Sequence, residues 1–248
     1  GITIYRVSET SKVVNALLNA IRNGKKVTVV IELQARFDEE ANIFWSNKLQ
    51  DEGAQVINGI PGLKIHSKLA WIQRKEKNGL RNYAYIGTGN FHEGTARVYA
   101  DKGLLTADPE IANDVANMFE FFKHTYNHFN FNQIIVSPFS MRNFFIHKID
   151  QEIANAKKGK EAYMILKMNS LIDSKMIDKL YEASQAGVKI QLIIRGIFGL
   201  KTDDPSLCKN IEAISIVDKF LEHTRVFLFA NGGKEDIYIS SADWMPRN

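Results

Sequence analysis

A chain of 248 residues with 45% hydrophobic and 24% charged residues has the makeup of an ordinary globular protein, long enough for one large domain or two of average size. Its net charge of +4 is too small for a protein that wraps nucleic acid, no apolar run reaches the ~18 residues of a membrane span, and no secretory signal opens it. Cys208 is the only cysteine, which excludes an intrachain disulfide and favours a cytosolic compartment.

Residues 2–7 read as a short extended run. Val13, Val14, Leu17, Leu18 and Ile21 then fall on one helical stripe, with Thr10 or Ser11 as its cap and Asn23-Gly24 as its stop. The β-branched run 27–33 predicts a strand covered on both faces, as in a parallel sheet. Gln34-Ala35-Arg36-Phe37 leaves that strand at its carboxyl end, where open α/β sheets bind ligands. A helix follows from Asp38 to about Glu52, its acidic first turn suited to the helix dipole. Residues 53–57 lead into another strand.

Residues 63–69 alternate apolar and polar and so predict a strand on which Lys64, His66 and Lys68 point the same way. Two ammonium groups beside an imidazole favour its neutral form, the form that can attack phosphorus. The same lysines would neutralise a phosphoryl group. Gly87-Thr88-Gly89-Asn90, after the next strand, offers N–H donors and a hydroxyl for a phosphate nest. The plainer reading is a surface strand with a chance histidine.

Arg97 and Tyr99 follow in a loop-rich stretch, and a long helix is predicted from about Pro109 to Phe129. His124 and His128 stand four apart on it, a spacing that can hold a metal, but no third ligand is evident and a solvated face accounts for them. Residues 130–140 read as a linker. Beyond it, 141–157 predict an amphipathic helix, 162–168 a strand, 174–185 a helix and 187–196 another buried-type strand.

The second half repeats the first. Gly24-Lys25-Lys26-Val27-Thr28-Val29-Val30-Ile31-Glu32 parallels Gly187-Val188-Lys189-Ile190-Gln191-Leu192-Ile193-Ile194-Arg195, each after a helix that stops at a glycine. Phe220-Leu221-Glu222-His223-Thr224-Arg225-Val226 again places His-x-cation on a strand pattern, and Asn231-Gly232-Gly233 marks a hairpin. The alternative for His223 is a histidine paired with Glu222. The duplication leads to an expectation of one active site between the halves, with a histidine from each: one as nucleophile, the other as acid–base partner or phosphate ligand.

The resemblance to a known family is carried by Glu32-Leu33-Gln34-Ala35-Arg36-Phe37-Asp38-Glu39-Glu40-Ala41-Asn42, Gly62-Leu63-Lys64-Ile65-His66-Ser67-Lys68 and Ile86-Gly87-Thr88-Gly89-Asn90-Phe91. In the second half Ile193-Ile194-Arg195-Gly196, Phe220-Leu221-Glu222-His223 and Tyr238-Ile239-Ser240-Ser241-Ala242-Asp243-Trp244-Met245 carry it. Over essentially its whole length the chain resembles the C-terminal catalytic half of bacterial polyphosphate kinases. That likeness implies an α/β fold of two phospholipase-D-like domains from an internal duplication, with mixed, mostly parallel sheets flanked by helices. With the boundary set at the linker, the domains are 1–131 and 132–248, and the likeness implies that the first is incomplete at its N-terminus and the second at its C-terminus.

The resemblance further implies that His66 takes the γ-phosphate of ATP as a phosphohistidine and passes it to inorganic polyphosphate, leaving ADP. Tyr99, Arg195 and His223 are similar to the family's nucleotide-contacting positions, with His223 also an acid near the transferred group. Arg6 and Arg36 resemble its paired positions at a phosphate and Mg2+ site. Lys64, Lys68 and Arg97 are taken as further ATP- or phosphate-binding cations. The family's longer chain has an N-terminal helical domain that helps hold adenine and a head domain for dimerisation, so homo-oligomers are expected of the full length and poor ATP turnover of this stretch alone. The expected location is the cytoplasm, with peripheral attachment at the inner membrane allowed, and no nucleic-acid partner. Ala100, where the family usually has threonine, is a small departure. A phospholipase-D-like phosphodiesterase is the alternative enzyme, although the Asp it carries shortly after the Lys is lacking in Leu69-Ala70-Trp71-Ile72-Gln73-Arg74. A non-catalytic polyanion-binding module is the third reading.

Overall fold

The computed structural model describes residues 1–8, 10–35, 39–127 and 129–248. The expectations for Arg36, Asp38 and His128 therefore lie outside the described residues. The chain divides into two compact units, Gly1–Ile134 and Ile135–Asn248.

The first unit contains strands β1 (Ile2–Ile4), β2 (Thr28–Ile31), β3 (Gln55–Asn58), β4 (Lys68–Glu76), β5 (Gly79–Gly87) and β6 (Gly103–Thr106), with helices α1 (Lys12–Arg22), α2 (Glu39–Asp51) and α3 (Pro109–Lys123). Among the described residues the strand order is β3-β2-β1-β4-β5-β6. β1, β2 and β3 are parallel because α1 and α2 carry the chain back between them. β4, β5 and β6 are antiparallel, and β4 and β5 meet in a tight hairpin at Lys77-Asn78. α1 forms where its apolar stripe requires, with Val14 and Leu18 buried against Ile2, Ile4, Val29 and Ile31. Ser11 caps it by accepting from the Val14 N–H. β2 is buried on both faces, whereas Lys189 and Gln191 leave one face of its counterpart in the second unit open.

The second unit holds α4 (Met141–Lys157), β7 (Tyr163–Met168), α5 (Ser174–Gln185), β8 (Lys189–Ile194), α6 (Pro205–Cys208), β9 (Ile211–Ile214), β10 (Arg225–Phe229) and β11 (Asp236–Ser240). Its order is β11-β10-β7-β8-β9. β7, β8 and β9 are parallel, and β10 and β11 are antiparallel. This is the arrangement of β1 to β5 again: β7 matches β1, β8 matches β2, β9 matches β3, β10 matches β4 and β11 matches β5. Gly24 and Gly187, at φ of +71° and +95°, turn the chain out of the preceding helix at the same place in each unit. The core packs Phe145 of α4 against Phe227 at 4.9 Å, with Phe229 and Trp244 around it.

Three boundaries differ from the sequence reading. Residues 63–67 are not strand: β4 starts at Lys68, and His66 stands on the loop before it. His223 likewise precedes β10, which starts at Arg225. α3 ends at Lys123, with His124 as its C-cap, short of the predicted end at Phe129. In the middle of α3 the Asp114 carboxylate accepts from the N–H groups of Asn132, Gln133 and Ile134 and holds that segment against the helix. No described helix is long and apolar enough to cross a membrane.

Candidate active site

In both units the candidate residues gather at the edge where the parallel strands end and β4 or β10 begins. In the first unit Tyr5 follows β1, Glu32 follows β2, and His66 precedes β4. The Tyr5 ring is the point of assembly. The His66 ring stands edge-on to it at 4.8 Å, with planes 71° apart. Lys68 Nζ lies 5.2 Å from the ring centroid, Lys64 Nζ 5.4 Å and Arg6 Cζ 5.8 Å, all within cation–π range. Four of the predicted residues, Arg6, Lys64, His66 and Lys68, thus meet around a tyrosine that the sequence did not single out.

Long-range hydrogen bonds hold the His66 loop. The buried Glu32 carboxylate accepts from the Ile65 N–H and the Gln34 N–H, both at 3.0 Å. The Thr3 hydroxyl donates to the Ser67 carbonyl at 2.7 Å and accepts from the Leu69 N–H at 2.9 Å. Lys68 is 2% exposed, and its ammonium donates to the His66 carbonyl. Asn42 on α2 donates to the carbonyls of both Tyr5 and Glu32, which ties the ends of β1 and β2 together. Glu32 and Asn42 stand in the motif quoted above, but their roles depend on partners distant in sequence.

The Gly87-Thr88-Gly89-Asn90 turn is built differently from the phosphate nest expected of it. The Thr88 hydroxyl donates to Asp101 at 2.6 Å and accepts from the Lys102 N–H, while the Thr88 N–H donates to the Lys102 carbonyl. These groups fasten the turn to residues 101–102. Burial, and then the charge of Asp101, raise the Tyr85 hydroxyl above its ordinary value. Arg97 stands exposed on the turn Thr95–Arg97, with Tyr99 half-buried just beyond. Glu93 anchors that loop: it accepts from the Ser8 hydroxyl at 2.7 Å and the Lys12 N–H at 2.6 Å, at the start of α1. Burial pushes the Glu93 carboxyl up, but the hydrogen bonds from Ser8, from its own N–H and from the N–H groups of Lys12 and Val13 outweigh it and hold the group at about 2.

In the second unit one hydrogen-bonded network links the candidates. Arg195 Nε donates to Asn169 Oδ1 at 2.6 Å. The Asn169 N–H donates to Asp243 at 2.8 Å. Arg225 grips Asp243 with Nε and Nη2, both at 3.2 Å, and its Nη1 lies 3.0 Å from His223 Nε2 and donates to the His223 carbonyl. A guanidinium has only donors, so Nε2 accepts and the ring proton sits on Nδ1. Arg225 therefore does in this unit what Lys68 does in the first: the first residue of the strand holds the carbonyl of the histidine two positions earlier. Glu222 pairs with Lys167 at 2.8 Å.

Direct metal binding by Arg6 does not fit. Arginine has no lone pair to give, Mg2+ takes oxygen ligands, and no group of three or more His, Cys, Asp or Glu side chains among the described residues could hold an ion. Arg6 suits phosphate oxygens.

Fold and edge chemistry define a duplicated phospholipase-D-like protein with a His-x-cation loop in each unit. Polyphosphate kinase C-terminal domain 1 matches residues 1–128, and Polyphosphate kinase C-terminal domain 2 matches residues 134–248. The chain belongs to the polyphosphate kinase family. A polyphosphate kinase of Vibrio parahaemolyticus is 54% identical over 247 residues, covering 100% of this chain and 36% of that protein. One of Escherichia coli is 50% identical over the same length and share. The crystal structure of polyphosphate kinase from Porphyromonas gingivalis matches 99% of this chain and 41% of its own, with a TM-score of 0.89 and 43% identity. The chain spans about a third of the length of the curated relatives it matches.

Proposed function

We propose that this chain carries the phosphoryl-transfer centre of a polyphosphate kinase, with His66 as nucleophile. The imidazole attacks the γ-phosphorus of ATP, the bond to the bridging oxygen breaks, and ADP leaves. A terminal oxygen of polyphosphate then attacks the phosphohistidine, the N–P bond breaks, and the chain is one phosphate longer. Both steps run in reverse. Each moves charge between polyanions, so positioning and neutralisation supply most of the catalysis.

The observation that supports this reading is the Tyr5 assembly: three cations and an imidazole on one ring. Arg6, Lys64 and Lys68 bind phosphate oxygens, and the Glu32–Ile65 and Thr3–Ser67 bonds fix the loop that presents His66. Arg195, His223 and Tyr99 are assigned to the nucleotide, with His223 also an acid–base group, and Arg97 and Arg36 to phosphate. Mg2+ has no protein ligands in this scheme.

A covalent intermediate predicts isotope exchange between ADP and ATP with no polyphosphate present. The test uses the full-length protein bearing these residues. Exchange lost in His66→Ala supports the reading; exchange at the wild-type rate in that variant ends it.

A further inference from the structure

The β4–β5 hairpin continues past its neighbours. β1 pairs with it only at Ala70, and β6 reaches only to Ala84. α3 covers one side of the hairpin, stacking Phe119 on Trp71 and joining Asn113 to Asn82. The other side carries Lys68, Ala70, Ile72 and Arg74 on β4, opposite Gly87, Tyr85, Tyr83 and Arg81 on β5. Arg74 and Arg81 are thus a directly opposed cross-strand pair, and both are exposed.

Like charges set face to face across a ribbon are unfavourable. Glu76 lies 4.0 Å from Arg81 and offsets part of the repulsion. Residues 72–83 contain Arg74, Lys75, Lys77 and Arg81 against Glu76 alone, a net +3 from a chain whose total is +4. The side away from α3 runs from the buried Lys68, beside His66, past half-buried Ala70 and Tyr85 to the exposed Ile72 and Arg74, which stands six residues on, roughly 20 Å along the strand.

We propose that the Arg74–Arg81 pair is a second anchoring point for the polyphosphate chain whose end is at His66. The inference rests on the function proposed above and gives it a chain-length rule. A chain long enough to span from Lys68 to the arginine pair gains two guanidinium forks; tripolyphosphate does not reach and gains nothing.

The test compares binding of long-chain polyphosphate and of tripolyphosphate to the 248-residue chain and to Arg74→Gln/Arg81→Gln. The double variant is expected to bind the long chain about tenfold more weakly and tripolyphosphate as the wild type does. Arg74→Lys/Arg81→Lys, which keeps the charge, recovers a large part of the loss. Lys157→Gln/Lys158→Gln, equal in charge removed but at the end of α4, leaves long-chain binding intact. Equal weakening by the α4 pair, or no weakening by the arginine pair, overturns the inference. So does a single-stranded RNA oligomer whose binding alone depends on Arg74 and Arg81. A wild-type chain that binds no polyphosphate of any length refutes the proposed function itself, a result distinct from these.

Discussion

Glu32→Ala removes the group that fixes the His66 loop from below. Glu32 is 7% exposed, and its oxygens accept from the Ile65 and Gln34 N–H groups at 3.0 Å each. The two bonds differ in what their loss costs. Gln34 is exposed, and its N–H can turn to water. The Ile65 N–H is buried, and a buried donor left unpaired costs ~1–3 kcal/mol, with bonds to charged acceptors at the upper end. We expect Glu32→Ala to destabilise the chain by ~2–3 kcal/mol and Glu32→Gln, which keeps one acceptor oxygen, by about half as much. Urea unfolding measures this, with ATP-dependent phosphoryl labelling run alongside under conditions where each variant is folded. Labelling should fall further than the folded fraction does, because the lost bond lies one residue from His66. Glu32→Ala with stability within ~0.5 kcal/mol of wild type and unchanged labelling would refute the positioning role.

Three further outcomes follow from the same geometry. Asp243→Ala leaves the buried Arg225 without its carboxylate and should cost ~3–5 kcal/mol, while Arg225→Met/Asp243→Leu recovers much of it; thermal unfolding of the three proteins decides. Glu93 is held at about 2, below the ordinary 4.5, so its contribution is complete above pH 4.5 and disappears as pH falls toward 2. The stability gap between wild type and Glu93→Gln should therefore close across that window, and a gap constant from pH 6 to pH 2 contradicts the assignment. Gly89→Ala places a Cβ 2.2 Å from Asp101 Oδ2, which must move and break its bond to Thr88; we expect ~1–3 kcal/mol of destabilisation in thermal unfolding.

Much of this architecture is legible in the chain itself. The stripe of Val14 and Leu18, the glycines at 24 and 187, and the matched runs 24–32 and 187–195 announce two similar units, and the sheet orders repeat accordingly. The misplaced strand start has a specific cause. Residues 63–67 alternate as a strand should, but their backbone bonds go to Glu32 and Thr3, 33 and 64 positions away, instead of to a neighbouring strand. Local pattern carries no trace of such partners. Tyr5 was missed for the same reason: a lone tyrosine after a short strand gains meaning only when Arg6, Lys64, His66 and Lys68 converge on it. The end of α3 has no glycine to announce it, and the Asp114 carboxylate, mid-helix, holds the N–H groups of 132–134 beyond it. His223 and Arg195 were both named, whereas the Asn169 and Asp243 that join them are ordinary polar residues until the fold brings them together.

The central claim is that the assembly on Tyr5, with Arg6, Lys64 and Lys68 around the ring and His66 at its edge, makes His66 the phosphoryl acceptor. Peptide mapping by mass after brief exposure of the full-length protein to ATP addresses it most directly. The account predicts one acid-labile phosphate on the peptide containing His66, removed on addition of ADP. A phosphate found on another residue, or a label that ADP cannot remove, would contradict it.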